Sequence, residues 1–194
     1  MNRIIKKAAV IGSGVMGSRI ACHFANIGVQ AVLLDIVPNA LSESEAKQGL
    51  SLSDRKVRNR IAQEALQTAL ASNPSPIYRK AFADRIRIGN LEDDLELLKE
   101  CDWIIEAVTE RIDIKRLVYE KVEAYRKPGS LITTNTSGIP ITALAEGRSD
   151  DFKKHFCGTH FFNPPRYLQL LELIPSPHTS PEVVQFFTTY GEKF

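Results

Sequence analysis

With 194 residues and a mass of 21.7 kDa, the chain is long enough for one well-buried core and short for two. Its 43% hydrophobic and 25% charged residues exclude an intrinsically disordered chain, a collagen-like repeat and a membrane span. A formal charge of +2, from 25 basic and 23 acidic side chains, supplies no broad field for nucleic acid, so a polyanion partner would need a local basic patch.

The N-terminus is charged at Arg3, Lys6 and Lys7, but the apolar run Ala8-Ala9-Val10-Ile11 is short and breaks at Gly12. It fails as a secretory signal and reads as a buried parallel strand that turns at Gly12-Ser13-Gly14-Val15-Met16-Gly17. Residues 15–27 carry apolar positions at helical spacing, Gly28 follows where a helix C-terminus needs it, and Ala31-Val32-Leu33-Leu34-Asp35 forms a second strand with an acidic end. Residues 38 to about 82 are rich in Glu, Lys, Arg, Gln, Ala and Leu and predict two or three inserted helices. Asn73-Pro74-Ser75-Pro76 breaks the last of them, and Ser51 or Ser53 is placed to cap it.

A strand–helix rhythm then resumes. It runs through a strand at Arg85-Ile86-Arg87-Ile88, a helix near 91–99, a strand at 103–108, a helix near 112–125 and a strand at 130–134. The last third holds two strand-like runs, 155–162 and 168–174, separated by Asn163-Pro164-Pro165, and a helix from about Pro181. This alternation predicts an α/β fold: a Rossmann-type, doubly wound, mostly parallel sheet forming a single domain over residues 1–194, with a helical insertion at about 39–82 after the second strand. Cys22, Cys101 and Cys157 are odd in number and widely spaced, which argues against a disulfide framework and for a reducing cytoplasm. His155, Cys157 and His160 lack the spacing and the fourth ligand of a metal site.

Gly12-x-Gly14-x-x-Gly17 has the spacing of a dinucleotide turn. The first glycine permits the tight turn, the second lets backbone approach a pyrophosphate, and the third lets helix pack on strand. The motif follows a predicted strand and opens a predicted helix, with Val15 and Met16 on its first turn. Asp35 ends the next strand, where a carboxylate can accept bonds from the adenosine ribose. It would also repel a 2′-phosphate, and the residues after it, Ile36-Val37-Pro38, include no arginine, so NAD is favoured over NADP. An exposed acid at a strand end is the other reading of Asp35.

Downstream lie Glu106-Ala107-Val108-Thr109-Glu110, Thr134-Asn135-Thr136-Ser137-Gly138-Ile139-Pro140, Gly158-Thr159-His160-Phe161-Phe162-Asn163-Pro164-Pro165 and Leu170-Leu171-Glu172-Leu173-Ile174. With the glycine turn, these resemble the NAD-binding domain of L-3-hydroxyacyl-CoA dehydrogenase, from the first strand to near the chain's end. The long charged insertion looks most like the bacterial form that opens a larger fatty-acid β-oxidation protein. The resemblance implies His160 as catalytic base, Glu172 as its carboxylate partner and Ser137 as a hydroxyl donor to the reacting oxygen. It also implies Glu110 and Lys115 near the nicotinamide and its ribose, Ala107 and Val108 along the adenosine-diphosphate path, and Asn135 positioning a loop or the cofactor.

The chemistry suits these residue types. Histidine can accept a hydroxyl proton near neutral pH, and a carboxylate on its other nitrogen fixes the tautomer. Bland readings stay open: a core histidine at 160, a turn serine at 137, and a salt-bridged helix start at Glu110 and Lys115. Glu172 lies in a run apolar on both faces, where a carboxylate needs a partner.

By resemblance the helical insertion, which carries Lys47, Arg55, Lys56, Arg58, Arg60, Arg79 and Lys80, closes over coenzyme A of an acyl-CoA substrate, whose phosphates suit basic side chains, with no single one of these residues nominated. A solvated face paired with Asp54 and Glu64 is the alternative. The family's second, helical domain supplies an active-site asparagine and the dimer interface, and the chain ends at Gly191-Glu192-Lys193-Phe194 before any such domain. The expectation is therefore an excised domain that binds NAD and whose turnover is weak or absent. Two other functions fit the fold: a different NAD-dependent hydroxyacid dehydrogenase, and a non-catalytic NAD-binding or structural protein.

Overall fold

The computed structural model describes residues 3–193; Met1, Asn2 and Phe194, which the expected domain includes, lie outside the described residues. Seven strands form one sheet in the order β3-β2-β1-β4-β5-β6-β7. They are β1 (Lys7–Ile11), β2 (Gln30–Asp35), β3 (Ile86–Asn90), β4 (Trp103–Glu106), β5 (Leu131–Thr134), β6 (Phe156–Phe161) and β7 (Leu171–Pro175). All neighbours pair in parallel except β6 and β7. The helices are α1 (Val15–Asn26), α2 (Glu43–Lys47), α3 (Arg55–Arg58), α4 (Arg60–Ala71), α5 (Ile112–Tyr125), α6 (Ile141–Leu144), α7 (Asp150–Lys154) and α8 (Pro181–Lys193), with 3₁₀ turns at Lys80–Arg85 and Leu95–Glu100.

The central strands are buried on both sides because helices cover both faces of the sheet. Ala8, Val10, Leu33, Trp103 and Ile105 pack towards Phe24 of α1 and Phe187 of α8, whereas Ala9, Ile11, Val32, Ile104 and Ile132 pack towards Tyr119, Val122 and Phe152. Trp103 meets both Phe24 and Phe187 with ring centroids 5.0 and 4.8 Å away, which joins α1, β4 and α8. The strand order reverses between β1 and β4, and the carboxyl ends of these two strands open a crevice of the kind in which ligands bind in such sheets.

Three local expectations need correction. Neither Ser51 nor Ser53 caps the helix that ends before Asn73: α4 starts after Asn59, and Ser51 instead donates its amide (2.6 Å) and hydroxyl (2.9 Å) to Asp54. The insertion's one capping box belongs to Ser42 and Glu45 at α2. The helix expected near 91–99 is a 3₁₀ turn from Leu95, because side chains take over the backbone donors ahead of it. Asn90 Oδ1 accepts from the amides of Glu92 and Asp93, and Asp94 Oδ2 accepts from Asn90 N at 2.9 Å. The run around Glu172 is not apolar on two buried faces: β7 is an edge strand, with Leu171 and Leu173 packed inward and Glu172 and Ile174 on the exposed side.

The insertion's arginines do form ion pairs, but with other partners than Asp54 and Glu64. Arg55 meets the buried Asp94 at 2.6 Å, Arg58 meets Glu92 and Asp93, and Arg60 meets Glu45. The Arg55 and Arg58 contacts lock the insertion onto the segment that leaves β3, and the Arg60 contact ties α4 to α2 within it. Its far end is held by Arg166, whose guanidinium lies 4.2 Å from the Tyr78 ring centroid and donates to the carbonyls of Ser75 (2.6 Å) and Ile77 (3.0 Å). The loop after β6 is thereby tied to the segment that follows α4.

Candidate functional site

The glycine turn lies where β1 meets α1. Gly12 has φ +93°, and a Cβ there would lie 2.7 Å from the Ala107 carbonyl oxygen. A Cβ on Gly17 would lie 1.8 Å from the Gly12 oxygen, so that position admits nothing larger than hydrogen. Around Gly14 the space is open, and no side chain caps α1 there. The backbone thus presents helix N-terminal amides to an open volume, the arrangement that accommodates a diphosphate. Asp35 stands beside the turn: its Oδ2 accepts from the Ser13 amide (2.5 Å) and hydroxyl (2.6 Å), and its Oδ1 from the Ile36 amide (2.7 Å). The carboxylate expected to meet a ribose is thus fixed against the glycine loop.

A cleft of about 310 Å³ continues from the turn across the ends of β4, β5 and β6. Its walls bring together Met16, Ala107, Val108, Glu110, Lys115, Asn135, Ser137 and His160 of the expected set, with Phe161, Phe162 and Asn163. His160 and Glu172 are directly opposite across the antiparallel β6–β7 pair, and Nδ1 lies 2.7 Å from Oε2. Among the described residues none bonds Nε2, so that nitrogen is left for a reacting proton. The His160 ring packs on Phe162 at a centroid distance of 4.6 Å. Asn135 secures the wall, accepting from the Phe161 amide (2.9 Å) and donating its own amide to the Glu106 carbonyl (2.8 Å). Arg19 of α1 donates to Oδ1 of Asn163, one of the lining residues, at 2.5 Å.

The family profile of the 3-hydroxyacyl-CoA dehydrogenase NAD-binding domain matches residues 7–194. The chain belongs to this family. A Bacillus subtilis protein named "Probable 3-hydroxyacyl-CoA dehydrogenase" is 52% identical over 192 residues, covering 99% of this chain and 24% of the relative. A Rickettsia felis protein named as a fatty acid oxidation complex trifunctional enzyme is 40% identical, covering 95% of this chain and 24% of its own length. The solved 3-hydroxybutyryl-CoA dehydrogenase of Escherichia coli superposes with a TM-score of 0.70 at 29% identity, over 98% of this chain and 36% of that one. The chain spans between about a quarter and a half of the length of the curated relatives it matches. It is an NAD-binding Rossmann domain, and among the described residues no helix is long and apolar enough to cross a membrane.

Within this NAD-binding domain, Glu110 and Lys115 differ in exposure. Glu110 is 44% exposed in the cleft, and its Oε1 accepts from the Thr136 hydroxyl and the amides of Ser137 (3.2 Å) and Gly138 (3.1 Å). Burial pushes its carboxyl up, but the Thr136 hydroxyl, the Gly138 amide and Lys115 outweigh this and hold it below its ordinary value of 4.5. Lys115 is 1% exposed and forms the cleft's back wall, its ammonium 2.7 Å from Glu106 and 3.3 Å from Glu110. Sequence reasoning missed Glu106 as a site residue. A glutamate ending the otherwise apolar Trp103-Ile104-Ile105 strand was the available signal.

Other titratable groups set a pH response. Burial lowers His23 below its ordinary value of 6.5. Asp102 and Asp151 are raised by burial but lowered further by Lys127 and the Lys6 amide at one, and by Arg126 and the Gly129 amide at the other, ending below 3.8. In each case the folded value is depressed, so the contribution to stability is present above the unfolded value and is lost as pH falls through the folded one. The melting temperature is expected to decline first below about pH 6.5 and more steeply below about pH 3.8, and His23→Gln should remove the first decline only. Calorimetric melts of both proteins across this range check it, and an unchanged first decline in the variant would refute the assignment to His23.

Proposed function

We propose that this domain binds NAD along the crevice from the glycine turn to the β6 end and serves the oxidation of the 3-hydroxyl of L-3-hydroxyacyl-CoA to the 3-ketoacyl thioester, as part of fatty-acid β-oxidation. The observation that carries the reading is His160 in the wall of the cleft that Met16 of the glycine turn also lines, with Glu172 2.7 Å from its Nδ1. The residues fit the cofactor: Gly12 and Gly17 leave no room for side chains, Gly14 leaves open space for a diphosphate, and Asp35, held beside the turn by Ser13, is the carboxylate assigned to the ribose. When bound, NAD supplies the hydride acceptor. Every other part falls to the chain's own groups. His160 takes the hydroxyl proton at Nε2, while Glu172 holds the Nδ1 proton and stabilises the imidazolium that results. The Ser137 hydroxyl donates to the reacting oxygen. Exposed basic residues of the insertion, such as Lys47, Arg79 and Lys80, suit the phosphates of coenzyme A.

The reading includes a cytoplasmic setting and, in longer relatives, a helical domain that completes the substrate's grip and forms the dimer. A polypeptide of these 194 residues alone is expected to bind NAD and to turn over slowly or not at all. Calorimetric titration with NAD and a steady-state assay with acetoacetyl-CoA and NADH test this. Absence of NAD binding, or turnover equal to that of a full-length relative, would overturn it. A lysine-based hydroxyacid dehydrogenase is disfavoured, because the cleft's lysine already directs its ammonium to two carboxylates.

A further inference from the structure

Glu106 ends β4 with no exposed surface, and its carboxylate accepts four hydrogen bonds. Oε1 accepts from the Val108 amide and the Lys115 ammonium, and Oε2 from the Tyr119 hydroxyl and the Thr134 hydroxyl, each at 2.7 Å. The donors come from the loop after β4, from α5 and from β5. Burial and the Glu106 charge raise Tyr119 well above its ordinary value of 10, so the phenol stays a donor.

Two paths lead from Glu106 to the open cleft. One is electrostatic: Lys115 carries its charge to Glu110 Oε2 at 3.3 Å, and Glu110 in turn receives the amides of Ser137 and Gly138. The other is structural: Thr134 Oγ1, bonded to Glu106, accepts the Thr136 amide at 3.2 Å and so sets the same loop from beneath. Replacing a buried ion pair by apolar packing is often neutral or stabilising, so a sealed glutamate–lysine pair is weak evidence of a role in stability alone. Its position at the back of the cleft gives it another use.

We propose that Glu106 is a positioning residue for the nicotinamide end of the cleft, holding Lys115 against Glu110 and thereby fixing the Glu110 carboxylate and the Ser137 loop for NAD. The proposal rests on the reading that NAD occupies this cleft. The test is a double-mutant cycle on the 194-residue chain, with NAD affinity measured by calorimetry and folding by circular dichroism for wild type, Glu106→Gln, Lys115→Met and the double variant. Each single substitution is expected to weaken NAD about tenfold, and the double variant to be no weaker than about the worse single, because the two act in one relay.

Affinity of Glu106→Gln within about twofold of wild type, or losses that multiply to about a hundredfold in the double variant, would overturn the relay. A purely structural role would lower the melting temperature without this coupling in NAD affinity. Lys115→Met binding NAD like wild type would overturn the reading of the cleft itself, and the relay with it. Should Glu106→Gln fail to fold, Tyr119→Phe decides, since it frees one anchor of Oε2 and leaves the ion pair. A loss of about threefold in NAD affinity supports the proposal and an unchanged affinity overturns it.

Discussion

Replacing His160 with Gln is expected to slow hydride transfer by about 10²–10⁴-fold, the usual contribution of a positioned general base, while NAD affinity changes far less. Glutamine keeps a polar group beside Glu172 but cannot take up a proton from a hydroxyl. The effect should therefore fall on the chemical step rather than on cofactor capture. Single-turnover reduction of acetoacetyl-CoA by NADH, with the chain in excess, reads that step directly.

Glu172→Gln should give a smaller loss of about 10–100-fold. The imidazole stays in place against Phe162, but the carboxylate 2.7 Å from Nδ1 no longer selects the tautomer or balances the imidazolium. The ordering matters more than either value. Were Glu172→Gln as damaging as His160→Gln, the carboxylate would be more than a partner. Were His160→Gln to keep the wild-type rate, the base would be another group and the proposed chemistry would fall.

How much of this site could be read from residue order alone follows from the range of the interactions. The glycine turn is local: three glycines within six residues, a strand before and a helix after, and the steric reasons at Gly12 and Gly17 are those the spacing implies. Helix α5 matches the expected 112–125 because its apolar positions recur regularly and no breaker interrupts them. His160 and Glu172 were found through family resemblance. That they are register partners across β6 and β7 depends on the path of the connecting loop, residues 162–170, which periodicity does not determine.

Glu106 was the least legible. Its partners Val108, Lys115, Tyr119 and Thr134 are separated by up to 28 positions and come from separate elements, so nothing in the local pattern marks it as their common acceptor. The 3₁₀ turn at Leu95–Glu100 shows the opposite failure. The composition of 91–99 suits a helix, but Asn90 and Asp94 compete for the backbone donors of its first turn. Likewise, Arg55 and Arg58 of the insertion found acids 34 to 39 positions away rather than those nearby in the chain.

Asp35→Ala is expected to weaken NAD by about 10–100-fold, the range for losing hydrogen bonds between ribose hydroxyls and a charged acceptor. NADP should respond in the opposite sense, since the same substitution removes a like charge from the position of the 2′-phosphate. The structure adds a complication. Asp35 also accepts the amide and hydroxyl of Ser13, so alanine takes two bonds from the glycine loop as well as one group from the cofactor. Asp35→Asn separates these effects: its carbonyl oxygen can still accept from Ser13, while the negative charge is gone. If charge governs cofactor choice, the asparagine variant recovers part of the NAD affinity and still admits NADP better than wild type does. If loop geometry governs it, Asn restores NAD fully and NADP gains nothing. Parallel titrations of NAD and NADP into wild type and both variants distinguish these outcomes, and an NADP-to-NAD affinity ratio unmoved by either substitution would remove Asp35 from the ribose site.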